Sequence, residues 1–242
     1  MHARQLEDPA AADRYRRGVR FPARQANRAI HAALRWVDRA GEVTPGTALA
    51  DRFGGFGEGS CIGFPPATLQ DVESIHIGRD TMVGRQATLA AGYGVNDTRH
   101  PFRALVIGDH CLLGAGLTIT AHESIELGDS VYCGQGVFIT DASHGYQDPD
   151  RPVGEQFGAH QPVVIGSGTW IGHDAVILPG TRLGRNVVVA AGAVVRGEVE
   201  DHAVVAGNPA RVVRRLEPGL GWVGTGGDVR PIHGGIAEPE AG

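Results

Sequence analysis

The 242-residue chain has a length typical of one domain with appendages. Its formal charge of −5 is uneven, because residues 1–40 carry nine arginines and four acidic residues, a balance of +5 that leaves −10 for the remainder. The overall acidic balance argues against a nucleic-acid partner. There is no signal-peptide pattern, no apolar run of membrane-spanning length and no metal-spaced Cys/His cluster. These features predict a reduced, cytoplasmic protein that holds no metal.

The first predicted element is a helix over residues 13–40, with Gly41 as its stop. Its apolar side chains have the spacing of one helical face: Ile30, Leu34 and Val37. We interpret it as a helix packed on the main body or between subunits, and contact with an anionic membrane surface is the alternative. Glycine and proline are frequent over residues 44–68, so the helical and irregular lead-in is expected to occupy residues 1–68.

From residue 77 onward, aliphatic residues recur every six positions and a small residue usually follows. The longest unbroken run is Ile165, Ile171, Ile177, Leu183, Val189 and Val195. A period of six fits neither a helix nor an alternating strand. It fits an all-β solenoid with three flat faces, in which each hexad forms one short strand and one corner. The aliphatic residue points into the prism, and the small residue sits where neighbouring coils crowd together.

The phase of the repeat predicts where the solenoid runs and where it ends. Leu89 and Ile107 are eighteen residues apart, so this coil is expected to keep register around a bulge near residues 93–103. The solenoid is expected over residues 69–207. Residues 208–242 begin with N-P-A-R-V-V-R-R-L, which we interpret as a short basic helix, and continue into a glycine-rich tail that is expected to be disordered.

The largest interruption of the repeat follows His144. Ile139 and Ile165 are 26 residues apart, which predicts a loop over residues 145–164 that leaves a corner of the prism. A histidine at such a break is a candidate general base, because imidazole titrates near neutral pH.

Five stretches carry a family resemblance. They are T-A-H-E-S-I-E-L-G-D (120–129), I-T-D-A-S-H-G-Y (139–146), P-V-V-I-G-S-G-T-W-I-G (162–172), I-L-P-G-T-R-L-G (177–184) and V-V-A-G-N-P-A-R-V-V (204–213). Residues 75–215 resemble the hexapeptide-repeat acyltransferases, in the maltose, galactoside and polysaccharide O-acetyltransferase branch. The resemblance implies a left-handed parallel β-helix, a homotrimer, and acetyl-CoA lying in a groove between two subunits.

The resemblance makes His144 the general base. Asp141 lies three residues earlier on the same corner and is expected to orient the His144 ring, with a turn-forming role as the alternative. By the phase of the repeat His122 stacks below Ala142, where many relatives carry a second histidine. We expect His122 to line the acceptor pocket, and a structural corner histidine is the alternative.

The expected contacts to acetyl-CoA are Trp170, Ala191, Gly192, Arg196 and Arg211. Trp170 closes the first hexad after the loop, so it is expected near the active corner, as a wall against the pantetheine or the acceptor. The arginines suit the phosphates of the coenzyme, because this chain has no lysine and Gly197 stands where many relatives carry one.

Within the loop, Tyr146 and Gln156 are candidate contacts to the acceptor. The expected function is transfer of an acetyl group from acetyl-CoA to a hydroxyl of a small-molecule sugar or a glycan. A sugar-amine N-acetyltransferase and a purely structural solenoid remain alternatives. A γ-type carbonic anhydrase is a further alternative, although no two histidines here have the five-residue spacing that its zinc site needs.

Overall fold

The computed structural model describes residues 24–93 and 102–232. The chain divides into two units, Met1–Ala40 and Gly41–Gly242. The first unit contributes the helix α1 (Arg24–Gly41), which ends at the glycine that the sequence predicts. The part of the predicted helix before residue 24 lies outside the described residues.

The second unit is a solenoid in which each coil gives one short strand to each of three sheets. In coil order the strands are β1 (Gly55–Phe56), β2 (Cys61–Ile62), β3 (Thr68–Gln70); β4 (Ile75–Ile77), β5 (Met82–Val83), β6 (Thr88–Ala91); β7 (Leu105–Ile107), β8 (Leu112–Leu113), β9 (Thr118–Ala121); β10 (Ile125–Leu127), β11 (Tyr132–Cys133), β12 (Phe138–Thr140); β13 (Val163–Ile165), β14 (Trp170–Ile171), β15 (Val176–Ile177); β16 (Arg182–Leu183), β17 (Val188–Val189), β18 (Val194–Val195); β19 (Glu198–Val199) and β20 (Ala203–Gly207). Short 3-10 turns lie at Ala50–Arg52, Val72–Ser74 and Val153–Glu155.

Strands in the same position of successive coils pair in parallel. The first sheet runs β1-β4-β7-β10-β13-β16-β19, the second begins β2-β5-β8-β11-β14-β17-β20, and the third contains β3, β6, β9, β12, β15 and β18. Aliphatic residues at the hexad positions stack inward as predicted, and Ile139, for example, pairs with both Ile119 and Ile177 inside a fully buried core. This stack of buried aliphatic layers takes the place of a globular core.

The small residue after each aliphatic is required by the next coil. A Cβ on Gly114 would lie 2.6 Å from the backbone nitrogen of Gln135, closer than two such atoms can approach. The predicted crowding between coils is therefore confirmed. The corners have a further requirement that the repeat did not reveal. Between the first and second sheets, one residue per coil has φ between +52° and +75°: Gly59, Asp80, His110, Ser130, Gly168, Asn186 and His202.

One expected boundary and one expected strand register differ from the structure. The first coil begins at Gly55, inside the stretch expected to be an irregular lead-in. Ile107 pairs with Ile77, whereas Leu89 pairs with Ile119, so the expected register of Leu89 with Ile107 is wrong. Ile77 and Ile107 are 30 residues apart, which is one coil of eighteen residues plus an insertion of twelve residues. Because twelve is a multiple of six, this insertion leaves the phase of the repeat unchanged and cannot be detected from spacing.

The expected C-terminal helix is wrong. Residues Ala210–Glu217 form β21, which pairs antiparallel with β20, and β22 (Gly221–Gly224) and β23 (Val229–Arg230) follow in the same antiparallel order. Burial alternates along β21 with a period of two, as in a strand with one covered face. Ala210, Val212, Arg214 and Leu216 are half-buried, and the residues between them are exposed. The expected disorder is likewise wrong for residues 217–232, and residues 233–242 lie outside the described part.

Candidate active site

A pocket lies where three stacked corners meet, between the third sheet and the first sheet of the following coil. Tyr93 follows β6, His122 follows β9 and His144 follows β12, and these three strands are neighbours in the third sheet. Neighbouring strands are about 4.8 Å apart, so side chains leaving these corners converge. The pocket has a volume of about 160 Å³ and is lined by Tyr93, His122, Thr140, Ala142, Ser143, His144, Phe157 and His160.

An aromatic cluster forms one wall of this pocket. The Tyr93 hydroxyl oxygen lies 2.7 Å from Nδ1 and 2.8 Å from Nε2 of His160. The His160 ring stacks on the His122 ring at 5.4 Å between centroids, and the Tyr93 ring meets His122 edge to face at 4.9 Å. The sequence predicted none of Tyr93, Phe157 and His160 as residues of the site. The loop of residues 145–164 has no repeat that would predict which of its side chains returns to the corner.

The most completely bonded group at the site is the buried carboxylate of Asp141. It accepts hydrogen bonds from the backbone N–H groups of His122 (2.8 Å), Glu123 (2.7 Å) and Ser124 (2.8 Å). Burial alone would raise the pKa of Asp141. The hydrogen bonds from the His122 side chain and from these backbone groups outweigh burial and hold the pKa below its usual value. Asp141 is therefore a carboxylate at neutral pH.

Asp141 orients a different histidine from the one expected. Its Oδ1 lies 3.4 Å from Nδ1 of His122, and the hydrogen-bond donors to its carboxylate all belong to residues 122–124. The expectation that it orients His144 is therefore wrong. A proton on Nδ1 of His122 points at the carboxylate, which leaves Nε2 as the acceptor nitrogen of that ring.

His144 lies on the exposed side of the same pocket. Its backbone pairs with Phe157 across the loop, and bonds from Gly145 N to Gln156 O (2.8 Å) and from Gly158 N to Ser143 O (3.0 Å) close the loop on either side. Within the described part of the chain, the His144 imidazole has no hydrogen-bond partner. The loop backbone thus fixes the position of His144, and its imidazole is accessible to a bound ligand.

The two loop residues expected to touch the acceptor do not line the pocket. The Gln156 side chain is buried, and its amide donates to the carbonyls of Asp148 (2.8 Å) and Arg151 (2.9 Å), so it shapes the loop. Tyr146 is exposed to solvent. Of the three residues expected to contact the acceptor, His122 is the one that lines the pocket.

The expected coenzyme contacts lie on different sides of the prism. Arg196 follows β18, so it shares the corner row of His144 two coils further on, roughly 10 Å away along the solenoid. Trp170 points outward from the second sheet, and Arg211 lies on β21, which extends that sheet. Ala191 and Gly192 form the corner between the second and third sheets. In a three-sided prism the second sheet faces away from the corner that carries His144, so the expectation that Trp170 lies near it in the same chain is wrong.

The basic residues near the end of the solenoid divide into paired and unpaired groups. Arg214 binds Asp228 at 2.5 Å, and Arg215 binds Glu200. Arg196 and Arg211 have no acidic partner among residues 24–93 and 102–232. These two guanidinium groups therefore remain available to an anionic ligand.

An apolar row covers the outside of the second sheet. Residues at the outward positions of successive strands lie next to one another in register: Cys61, Met82, Leu112, Tyr132, Trp170, Val188 and Val204. The equivalent positions of the first sheet include His76, Glu126, Arg182 and Glu198. A long exposed apolar row of this kind indicates a surface that another molecule covers.

Known proteins share both the repeat and the sequence around it. The family model "Bacterial transferase hexapeptide (six repeats)" matches residues 162–197, and "Hexapeptide repeat of succinyl-transferase" matches residues 104–141. A Mycobacterium tuberculosis protein named "Probable acetyltransferase" is 32% identical over 70% of this chain and 53% of its own length. A galactoside O-acetyltransferase of Escherichia coli is 33% identical over 46% of this chain and 53% of its own length.

Both models describe the hexapeptide repeat, so the chain is a hexapeptide-repeat protein that resembles this transferase family. It spans about half the length of these two curated relatives. An N-acyltransferase from Bacillus cereus, solved with dTDP and coenzyme A, superposes with a TM-score of 0.61 over 74% of this chain and 92% of its own, at 17% identity. The predicted fold class, a left-handed parallel β-helix, is thereby confirmed for this hexapeptide-repeat protein.

Proposed function

We propose that this protein transfers an acetyl group from acetyl-CoA to a hydroxyl of a sugar or glycan, with His144 as general base. The observation that carries the proposal is the position of His144 at the mouth of a pocket walled by aromatic and imidazole rings. Flat apolar ring faces beside hydrogen-bonding nitrogens suit a sugar, which has both C–H faces and hydroxyls. The matches to the hexapeptide transferase models and the galactoside O-acetyltransferase relative support the same chemistry.

The proposed reaction needs no covalent enzyme intermediate. His144 takes the proton of the acceptor hydroxyl as its oxygen attacks the thioester carbonyl carbon, and a C–O bond forms. When the C–S bond breaks, the imidazolium returns the proton to the departing sulfur. The products are the acetyl ester and the free thiol of coenzyme A, and the histidine ends in its starting state.

His122 is proposed to position the acceptor. With its Nδ1 proton directed at the Asp141 carboxylate, the ring presents Nε2 as an acceptor for a sugar hydroxyl. Asp141 acts through His122 and is thus a positioning residue. Arg196, in the same corner row and without an acidic partner among the described residues, is proposed to bind a phosphate of the coenzyme.

A homotrimer with shared sites is proposed as the assembly. The pocket and Trp170 lie on opposite sides of one prism, so a single chain cannot bring them together. The apolar row on the second sheet gives a neighbouring copy a surface to cover. If that copy presents its pocket corner to this face, Trp170 of one chain and His144 of the next wall the same groove.

Release of thiol from acetyl-CoA, measured against a panel of acceptors, tests the activity. The panel pairs each sugar with its amino-sugar counterpart, because the alternative is N-acetylation. Thiol release with hydroxyl acceptors, together with an acetyl ester in the product, is expected. Release with the amino sugars only would replace the O-transfer proposal, and no release with any acceptor would contradict the activity.

Subunit complementation tests the shared site. His144→Ala and Trp170→Ala chains are produced separately and also co-expressed. In a mixed trimer, a chain with intact His144 meets a neighbour with intact Trp170 at some interfaces. Activity well above that of either variant alone is expected after co-expression. If the mixture is no more active than the variants, the two residues serve within one chain or not at all.

A further inference from the structure

The helix α1 has two chemically distinct faces. At 100° per residue, the apolar side chains other than Ala32 fall within one half of the helix circumference. They are Ala26, Ala29, Ile30, Ala33, Leu34, Trp36, Val37 and Ala40. The opposite half carries four arginines and one aspartate, a balance of +3: Arg24, Arg28, Arg35, Arg39 and Asp38.

None of the helix residues is buried. Trp36 is 70% exposed, Leu34 53% and Ile30 50%. An apolar face of this size that remains exposed indicates a surface for another molecule.

We propose that α1 lies on the surface of an anionic lipid bilayer, with its apolar face in the headgroup boundary. A strongly amphipathic helix with low overall hydrophobicity, arginines on the polar face and a tryptophan on the other is the pattern of interfacial helices. No helix among the described residues is long and apolar enough to cross a membrane, which agrees with α1 lying on the surface.

The charge distribution complements such a surface. Residues 1–40 have a balance of +5 and the rest of the chain −10. Anionic headgroups attract the first segment and repel the remainder, so the charge orients the protein with its N-terminal segment toward the lipid. The helix is about 10 Å thick, comparable to the screening length of about 8 Å at physiological salt, so arginines of the polar half still interact with the headgroups. Their long apolar stems also reach toward the interface.

The apolar face argues against two other binding partners for this basic helix, a nucleic acid and a second copy of the helix. A nucleic acid would use the arginines and leave Leu34 and Trp36 in water. A second copy of the helix would seal the apolar faces but bring two arginine-rich segments together. A bilayer with acidic lipids accommodates both halves at once.

Sedimentation with lipid vesicles tests the proposal on the full chain. Binding to phosphatidylglycerol–phosphatidylcholine vesicles, weak binding to pure phosphatidylcholine and loss of binding with added salt are expected. Arg28→Ala combined with Arg35→Ala should weaken binding about 25-fold, because each arginine near the surface contributes about fivefold.

The double variant Leu34→Ala with Trp36→Ala tests the apolar face and should weaken binding by about tenfold or more. Alanine preserves helix formation, which circular dichroism checks. Leu220→Ala is the matched control, because Leu220 is an exposed apolar residue (61%) in the turn before β22, outside the helix. This variant should bind vesicles like the wild type.

Three results would overturn the proposal. One is equal binding to both kinds of vesicle, or none to either. Another is an equal effect of the helix variant and the Leu220 control. The third is a helix variant that leaves vesicle binding unchanged but splits the oligomer or lowers its melting temperature, because the apolar face would then be covered by protein.

Discussion

The carboxylate of Asp141 lies 3.4 Å from Nδ1 of His122 and accepts three backbone hydrogen bonds from the corner that carries this histidine. One buried charge thus fixes both the backbone and the ring of the residue below it, in the preceding coil. The coil above is thereby tied to the coil below at the edge of the pocket.

Replacing this charge should disturb acceptor binding more than donor binding. In Asp141→Asn, the amide group cannot accept as many of these hydrogen bonds, so His122 loses its fixed orientation. We expect the KM for the acceptor to rise about 5- to 30-fold, equivalent to losing about 1–2 kcal/mol, with the KM for acetyl-CoA little changed. Steady-state kinetics with each substrate varied measures both values.

Asp129→Asn is the matched control, since Asp129 accepts a backbone hydrogen bond from Asp109 at a corner remote from the pocket. Equal increases in both KM values for Asp141→Asn would contradict a positioning role and indicate general loosening of the site.

The same carboxylate should make stability depend on pH. Because the folded protein holds the pKa of Asp141 below its unfolded value of about 3.9, the charge stabilises the fold fully above that pH. The contribution is lost as the pH falls through the lower, folded pKa. The stability difference between wild type and Asp141→Asn should therefore be constant from pH 7 to about 5 and shrink at lower pH. Chemical denaturation across this range measures it, and a difference independent of pH would contradict the assignment.

Removal of the proposed base should affect turnover alone. His144→Ala is expected to lower kcat by about 100-fold or more, because a positioned general base contributes about 10²–10⁴. The melting temperature should not change, since the ring is exposed. The control is His110→Asn, at a corner with φ of +56° that asparagine tolerates. A variant with turnover within a few-fold of wild type would rule out His144 as the base.

Arg196 should bind the coenzyme without taking part in the chemistry. We expect Arg196→Ala to raise the KM for acetyl-CoA by about 5- to 100-fold at nearly constant kcat, and the effect should shrink with salt. Arg211→Ala should act likewise. Arg215→Ala is the control, because Arg215 is already paired with Glu200.

Acetyl-dephospho-CoA then distinguishes the phosphates. Equal KM values for wild type and Arg196→Ala with this donor would assign Arg196 to the 3′-phosphate. If the full donor has an unchanged KM in both arginine variants, neither residue contacts the coenzyme.

The apolar row should hold the subunits together. Tyr132→Asp places a charge in the middle of the row and is expected to reduce the trimer to a monomer in light scattering. Val106→Asp, at an outward position of the first sheet, should leave the assembly intact. A trimer that survives Tyr132→Asp would show that the row faces something other than a second copy.

The sequence predicted what the hexad repeat specifies and missed what departs from it. Inward stacking of Ile119, Ile139 and Ile177 follows directly from the spacing of aliphatic residues. The insertion between Ile77 and Ile107 stayed hidden because its twelve residues preserve the phase. Tyr93 therefore could not be placed at the active corner.

For the site, the sequence predicted which residues are present better than it predicted which of them contact one another. His144 and His122 line one pocket, as expected from the stacking of their corners. The partner of Asp141 was misassigned because proximity along the chain favoured His144, whereas stacking brings the preceding coil closer. The role of a residue in a solenoid depends on the coil above and below it as much as on its neighbours in sequence.

The reversal of direction at β21 sets the length of the solenoid. A parallel strand at this position would offer its open edge to a further coil, or to the end of another molecule. The antiparallel hairpin occupies that edge on the second sheet, from β20 to β23. Its strands act as a cap against end-to-end fibre growth, a hazard for any stack of parallel strands. The charged and apolar residues of β21 thus protect solubility as well as structure.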